Sequence, residues 1–176
     1  MVRMAIERTG AATFGGKPIT LVGPELKPGD KAPNFKLIDK DLNVLKLSRL
    51  GRKVKIISVV TSLDTGICDE QTRKFNEALS ALAGRVALLT VSVDTPFAQG
   101  RFCGLANITH LVGSDYRDVK FGKKYGVLIK ELRLLLRAVF VVGKDGLIKY
   151  AYYSKENGTH PNYEGAIAAV KKELGL

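Results

Sequence analysis

VKIISVVTSLDTGICDEQTRKF, residues 54–75, contains a strand, a short loop and the start of a helix in direct succession. Residues 54–60 are mostly β-branched and apolar, which is typical of a strand buried on both faces. The loop that follows is polar, and the apolar spacing after it predicts a helix that opens near Cys68. A cysteine in the first turn of a helix lies at the positive end of the helix dipole, where the reactive thiolate is favoured. The stretch therefore predicts a central strand and a candidate nucleophile.

Strands and helices alternate on both sides of this stretch. Before it, the pattern predicts an N-terminal β-hairpin around residues 15–18 and a pair of short strands at 34–39 and 44–47. The elements predicted after it are a buried strand at 85–93, a helix from Asp94 or Thr95 to about 106, a short strand at 108–112, a basic helix or turn at 115–125, a hairpin of strands at 138–142 and 147–152, and a last helix at 162–174. This order indicates an α/β protein with a mixed central β-sheet flanked by helices, and the terminal hairpin with its covering helix suits a thioredoxin-like fold.

Length and composition are those of one globular domain spanning residues 1–176, of which 1–10 show no pattern and are expected to be flexible. Lys and Arg number 28 against 17 Asp and Glu, for a net charge of +11, but the basic residues are scattered without interleaved aromatics. The charge therefore indicates attraction to acidic partners rather than nucleic-acid binding. No apolar run reaches the roughly 18 residues that a membrane span needs, and the first residues have no apolar core of a signal peptide. We expect a cytoplasmic protein with no membrane partner, in which lasting structural disulfides are uncommon.

The two cysteines are either small core side chains or redox-active groups. Neither Cys68 nor Cys103 has a second cysteine two to four residues away, so the spacing is wrong for a zinc site. A dithiol oxidoreductase would need a cysteine where Gln71 stands. The redox-active alternative is therefore a nucleophile with a distant resolving thiol.

The residues around Cys68 act in opposite directions on its ionisation. Asp64 and Asp69 disfavour a thiolate, so a cation from elsewhere in the chain is needed to offset them. Thr65 precedes the cysteine by three positions and can direct its hydroxyl at the sulfur. Nothing places His110 or His160 near Cys68, which argues against a Cys–His pair of the protease kind.

Several separate motifs in one order carry a family resemblance. They are SLDTGIC at 62–68, RKFN at 73–76, GKPITLVGP at 16–24, SVDTPFAQ at 92–99, RFC at 101–103, YGVLI at 125–129, RAVFV at 137–141 and PNY at 161–163. From about residue 11 to the C-terminus the chain resembles the peroxiredoxins, and more narrowly the bacterial thiol peroxidase group, the atypical two-cysteine peroxiredoxins.

The resemblance implies a role for four residues. Cys68 matches the peroxidatic cysteine, and Cys103 matches the resolving cysteine with which it forms an intrachain Cys68–Cys103 disulfide. Thr65 matches the threonine that hydrogen-bonds the sulfur and the peroxide, and Arg137 matches the arginine that supplies the missing positive charge. The implied activity is reduction of hydrogen peroxide and organic hydroperoxides in antioxidant defence. Family members have a thioredoxin-like fold, are usually homodimers, are reduced by thioredoxin and need no metal or organic cofactor.

One active-site position departs from the family pattern. The family motif begins with proline seven residues before the nucleophile, and Thr61 stands there. Threonine adds a hydroxyl and predicts a more mobile loop, so we expect the change to affect the catalytic rate more than the type of reaction. The alternatives are a thioredoxin-fold disulfide oxidoreductase, against which Gln71 argues, a redox sensor without efficient peroxidase turnover, and a basic nucleic-acid-binding protein.

Overall fold

Strands and helices follow one another in nearly the predicted order. The structure, a computed structural model, describes residues 5–176. Its strands and helices are β1 (Glu7–Phe14), β2 (Lys17–Val22), β3 (Lys36–Ile38), β4 (Val44–Lys46), β5 (Val54–Val59), α1 (Gly66–Leu79), β6 (Val86–Ser92), α2 (Pro96–Ala106), β7 (Leu111–Ser114), α3 (Lys120–Lys124), β8 (Leu128–Ile129), β9 (Leu134–Leu135), β10 (Ala138–Val142), β11 (Ile148–Tyr153) and α4 (Tyr163–Leu174). Within residues 5–176, no helix combines the length and the apolar character that crossing a bilayer requires.

A seven-stranded sheet in the order β11-β10-β5-β6-β7-β3-β4 forms the centre of the molecule. Strand β5 runs parallel to β6, and β6 runs parallel to β7, whereas β10, β11, β3 and β4 pair antiparallel. Every residue of β5 is buried, as expected for a parallel-type strand covered on both faces. The predicted mixed central sheet, with β5 in its interior, is confirmed.

The two faces of this sheet are covered by different layers. Side chains of successive strand residues point to opposite faces. Ile56 of β5 accordingly packs with Phe75 of α1 and Val170 of α4. Its neighbour Ile57 belongs to the other core, which includes Leu21 of β2. Helices α1 and α4 therefore cover one face of the sheet, and the N-terminal hairpin contributes to the other.

The N-terminal hairpin is part of a second sheet. Gly15 and Gly16 form its turn with φ of 58° and 76°, which glycine adopts without strain. Strands β8 and β9, which the sequence did not predict, extend the hairpin to a four-stranded sheet in the order β1-β2-β8-β9. Strand β1 begins at Glu7, so residues 7–10 of the stretch expected to be flexible form part of this hairpin. Residues 1–4 lie outside the described residues.

Two further boundaries differ from the prediction. Strand β7 covers Leu111–Ser114 rather than 108–112, because the C-terminal Asn107 cap of α2 and the loop after it take the first of those positions. Helix α3 is only five residues long, Lys120–Lys124.

Candidate active site

Cys68 is the third residue of α1 and is fully buried. The residues of α1 that are buried with it are spaced as one helical stripe: Gln71, Thr72, Phe75 and Leu79. Thr65 is the N-cap residue, so Cys68 lies in the first turn as predicted. The loop before it leaves the carboxyl end of β5, which fixes the sulfur next to the end of a central strand.

Arg137 places a positive charge next to the sulfur of Cys68. Its Nη1 donates to Cys68 Sγ at 3.5 Å. Arg137 is itself 2% exposed, so the charge acts across a short distance away from water. Coulomb attraction is stronger there than at the surface, so the guanidinium presents an effective positive charge to the sulfur.

The remaining edges of the guanidinium are held by two neutral residues. Arg137 Nη1 also donates to Gln71 Oε1 at 2.8 Å, and Gln71 Nε2 in turn donates to Ser58 Oγ of β5 at 2.8 Å. Arg137 Nε and Nη2 both donate to the backbone carbonyl of Asn157, at 3.1 and 3.0 Å. The planar group is thereby fixed from the helix on one side and from the 154–162 loop on the other.

Thr65 does not make the contact predicted for it. Its hydroxyl donates to the carbonyl of Ser62 at 2.9 Å, and its side chain is exposed. Its own carbonyl accepts from Asp69 N, as an N-cap carbonyl does. Among the hydrogen bonds of residues 5–176, none joins Thr65 to Cys68. The hydroxyl is used to shape the loop in this conformation.

The two carboxylates expected to oppose the thiolate are each paired with an arginine at the surface. Asp64 lies 3.6 Å from Arg101 of α2, and Asp69 pairs with Arg73 one turn further along α1. All four groups are substantially exposed, so water and these partners screen the carboxylates. Their effect on the sulfur is weaker than that of the buried Arg137.

Cys103 lies on α2, half-buried, and contributes to the same small apolar cluster as Cys68 and Leu63. The fold thus brings the two cysteines to one side of the sheet, and both thiols are free. Burial raises the pKa of Cys103, and the nearby charge of Lys40 opposes that shift. Cys103 is therefore mainly a neutral thiol in this conformation.

The histidines take no part in the sulfur's hydrogen bonds. His110 is held between Asn76 Oδ1 at 3.0 Å and Thr90 Oγ1 at 2.8 Å. His160 lies 3.3 Å from Glu70 and contacts the hydroxyl of Tyr163. In the part of the chain that the structure describes, no three His, Cys, Asp or Glu side chains are grouped to hold a metal ion.

Three residues of the site were not predicted from the sequence. Gln71 follows Cys68 by three positions, and helical spacing alone would have placed it on the same face. Asp94 accepts from Ser62 Oγ at 2.7 Å and Leu63 N at 2.8 Å, which anchors the 61–65 loop. A role for Asp94 could have been inferred from its position at the carboxyl end of β6, beside the end of β5. No local sequence pattern indicates a role for Asn157, because this residue lies in a turn.

Comparison with known proteins identifies the family of this chain. Residues 27–167 match the family described as Redoxin. This chain belongs to the redoxin family. The redoxin is 53% identical over 163 residues to a protein named thiol peroxidase from Halalkalibacterium halodurans, covering 92% of this chain and 98% of that protein. It is 51% identical to the thiol peroxidase of Bacillus subtilis, over 90% of this chain and 95% of the relative.

Solved structures show the same fold. A peroxiredoxin-like protein from Aquifex aeolicus superposes with a TM-score of 0.87 at 40% identity, covering 96% of the redoxin and 98% of that chain. The thiol peroxidase from Chromobacterium violaceum shares the fold at 19% identity, with a TM-score of 0.84 over 93% of the redoxin and 97% of that chain. The predicted thioredoxin-like fold and the resemblance to the peroxiredoxins are confirmed.

Proposed function

We propose that this redoxin is a thiol peroxidase that reduces hydrogen peroxide and organic hydroperoxides, with Cys68 as the peroxidatic residue. The observation that carries the proposal is the buried Arg137 guanidinium at 3.5 Å from the sulfur in the first turn of α1. The names of the relatives at about half identity support the same activity.

The first step oxidises the sulfur. The Cys68 thiolate attacks the terminal oxygen of the hydroperoxide, an S–O bond forms and the O–O bond breaks. The leaving alkoxide or hydroxide takes a proton from solvent and departs as alcohol or water. Cys68 is left as a sulfenic acid, the first and reversible step of cysteine oxidation.

Arg137 and the start of α1 favour this step. The guanidinium favours the thiolate, and with the backbone N–H groups of the first turn it offers positive potential where charge develops on the departing oxygen. Thr65 acts on the peroxide once its hydroxyl turns from Ser62 O toward the sulfur. Because Cys68 is fully buried, neighbouring side chains must move before a hydroperoxide reaches Sγ.

The second step forms the Cys68–Cys103 disulfide. Cys103 loses its thiol proton and its sulfur attacks the sulfenic sulfur, an S–S bond forms as the S–O bond breaks, and the leaving hydroxide takes up a proton and departs as water. A disulfide requires Cα atoms within about 7 Å and a particular alignment of the Cβ bonds. Both thiols lie in helices and are free in this conformation. If the helices hold the two Cα atoms further apart than this, α1 or α2 must unwind locally at this step.

Thioredoxin returns the enzyme to the dithiol form by thiol–disulfide exchange, in which its own dithiol is oxidised. The electrons come from that partner, so no metal or organic cofactor takes part. The family resemblance supports a homodimer, and with the cytoplasmic setting expected from the sequence it gives a role in antioxidant defence.

A coupled assay tests the proposal. NADPH consumption is followed with thioredoxin, thioredoxin reductase and an organic hydroperoxide for the wild type, Cys68→Ser and Cys103→Ser. We expect turnover only in the wild type. Full turnover by Cys68→Ser would contradict a peroxidase centred on this residue, whereas turnover retained by Cys103→Ser would remove only the resolving role. Disulfide exchange without peroxide would instead favour a disulfide oxidoreductase.

A further inference from the structure

Thr61, which stands in place of the family's proline, is buried and fully hydrogen-bonded rather than loosely packed. It is 4% exposed. Its hydroxyl donates to the carbonyl of Leu135 at 2.9 Å and accepts from Asn157 Nδ2 at 2.8 Å. The expectation of a more mobile loop is therefore not supported by the contacts of this residue. A side chain with two buried hydrogen bonds of this kind fixes its neighbours in place.

Asn157 connects Thr61 to the guanidinium at the active site. While its Nδ2 is bound to Thr61, its Oδ1 accepts from Arg137 N at 2.8 Å. Its backbone carbonyl accepts from both Nε and Nη2 of the same arginine. Asn157 thus holds the main chain and the side chain of Arg137 at once, and Thr61 fixes the orientation of its amide group.

The groups that accept hydrogen bonds from Arg137 are neutral, so they do not cancel its positive charge at the sulfur. In the described part of the chain, no carboxylate lies within salt-bridge distance of the Arg137 guanidinium. A carboxylate in the place of Gln71 would hold the group but weaken the field that acts on Cys68. A neutral amide and a carbonyl orient the cation without that loss.

We propose that Thr61 and Asn157 form a pair of positioning residues that hold the Arg137 guanidinium against the Cys68 sulfur. The proposal rests on the proposed function in one respect, namely that reactivity at Cys68 is what this positioning serves. It assigns a role to the one residue that departs from the family motif and to a turn residue that no motif contains.

The test uses Cys103→Ser as the background, so that alkylation reports on Cys68 alone. Thr61→Val removes the hydroxyl at nearly constant volume, and Thr61→Ser restores it. Two rates are measured: alkylation of Cys68 by iodoacetamide as a function of pH, and single-turnover oxidation by hydrogen peroxide. The charged and titratable groups that share the sulfur's surroundings, Arg137, Glu70 and Tyr163, are unchanged in all variants.

We expect Thr61→Val to react with peroxide about 10- to 100-fold more slowly and to need a higher pH for half-maximal alkylation, because a small misplacement of a catalytic group has effects of this size. Thr61→Ser should recover most of both rates. Thr90→Val is the matched control, since it removes a buried threonine hydroxyl that contacts His110 and not Asn157. It should leave both rates unchanged.

The double variant Thr61→Val/Asn157→Leu separates positioning from stability. Replacing Asn157 as well removes the buried Nδ2 that Thr61→Val leaves without an acceptor, and it also removes the acceptor of Arg137 N. The free energy of unfolding of both variants is therefore measured alongside the rates. A stable double variant that remains slow supports the proposal, and wild-type rates in it would overturn the proposal. If the wild type alkylates but does not react with peroxide, the proposed function fails while the alkylation profiles still decide the role of the pair.

Discussion

Arg137 provides the Cys68 site with a cation through the shape of its side chain as well as its charge. One edge of the guanidinium faces Gln71 and the sulfur, and the other faces the carbonyl of Asn157. A lysine ammonium is a point charge on a flexible chain and lacks this two-sided fork. Substitution of Arg137 by lysine therefore keeps the positive charge and removes the geometry of the fork.

We predict that Arg137→Lys lowers the rate of Cys68 oxidation by hydrogen peroxide by about 100-fold, the size of effect seen when one stabilising donor is removed from an active site. The rate is measured by single-turnover mixing of the reduced enzyme with peroxide. Arg52→Lys, at an exposed turn, is the matched control and should react like the wild type. A wild-type rate in Arg137→Lys would show that charge alone is sufficient.

At the scale of single residues, the sequence was sufficient to predict the site residues that belong to a recognisable motif. It was not sufficient to predict the site residues that come into contact only in the folded chain. Cys68 and Arg137 were both predicted, and the structure brings them into contact. Asn157 contacts Arg137 from 20 positions away and Thr61 from 96 positions away, through a turn with no periodic pattern. Such a contact depends on how the 154–162 loop folds back over the end of β5. Its position could not be inferred from spacing.

Helix α2, which carries Cys103, is weak by composition. Gly100 and Gly104 are both interior residues of an 11-residue helix, and each glycine costs about 1 kcal/mol relative to alanine. A Cβ at Gly104 would meet nothing within 4 Å, and one at Gly100 would make only an ordinary contact with Lys40. The glycines are thus not required for packing. They make local unwinding of α2 easier when Cys103 moves toward Cys68.

We predict that Gly100→Ala/Gly104→Ala slows disulfide formation about 5- to 30-fold, which corresponds to roughly 1–2 kcal/mol of added helix stability. Slower resolution leaves the sulfenic acid exposed to a second peroxide, so sulfinic acid on Cys68 should accumulate. Rapid acid quench followed by mass spectrometry measures both species. Gly84→Ala lies outside α2 with open space around its Cβ and serves as the control. An unchanged rate in the double variant would argue that α2 stays folded during resolution.

Long strands and helices with a strong hydrophobic pattern could be predicted from the sequence, whereas the shortest strands could not. Strand β5 is a continuous apolar run and the buried stripe of α1 has a helical period, so both were predicted. Strands β8 and β9 have only two residues each, too few to show alternation. Leu21 of β2 pairs with Ile129 of β8 from the far part of the chain. The second sheet is therefore a consequence of tertiary pairing rather than of local preference.

On the scale of the whole molecule, the parallel pairing of β5 and β6 brings the site together. Because the two strands run in the same direction, their carboxyl ends lie side by side. The loop after β5 leads to Cys68, and the loop after β6 supplies Asp94, which holds Ser62 and Leu63. Helix α2 then starts from the same edge with Thr95 as its N-cap. The βαβ order in the sequence was sufficient to predict this arrangement, although not its hydrogen bonds.

The packing of these layers also makes the stability of the protein depend on His110. Its ring connects Asn76 of α1 with Thr90 of β6, and burial lowers its pKa from 6.5 to about 4. The adjacent cavity is lined by Arg49 and Lys53 and, among the described residues, by no Asp or Glu that would stabilise an imidazolium. The folded protein therefore keeps a neutral ring under conditions where the unfolded chain is already protonated.

We predict that the contribution of His110 to the free energy of unfolding is fully present above about pH 6.5, is lost as the pH drops from there to about 4, and changes no further below that value. The unfolded state binds a proton in this window and the folded state does not, so the loss amounts to at most about 3 kcal/mol. Urea unfolding at intervals of pH, for wild type and His110→Gln, isolates the contribution. The buried Asp115, whose pKa burial raises to about 6, titrates in both proteins and cancels in the difference. The same pH dependence of the free energy of unfolding in His110→Gln as in the wild type would mean that the ring does not control acid stability.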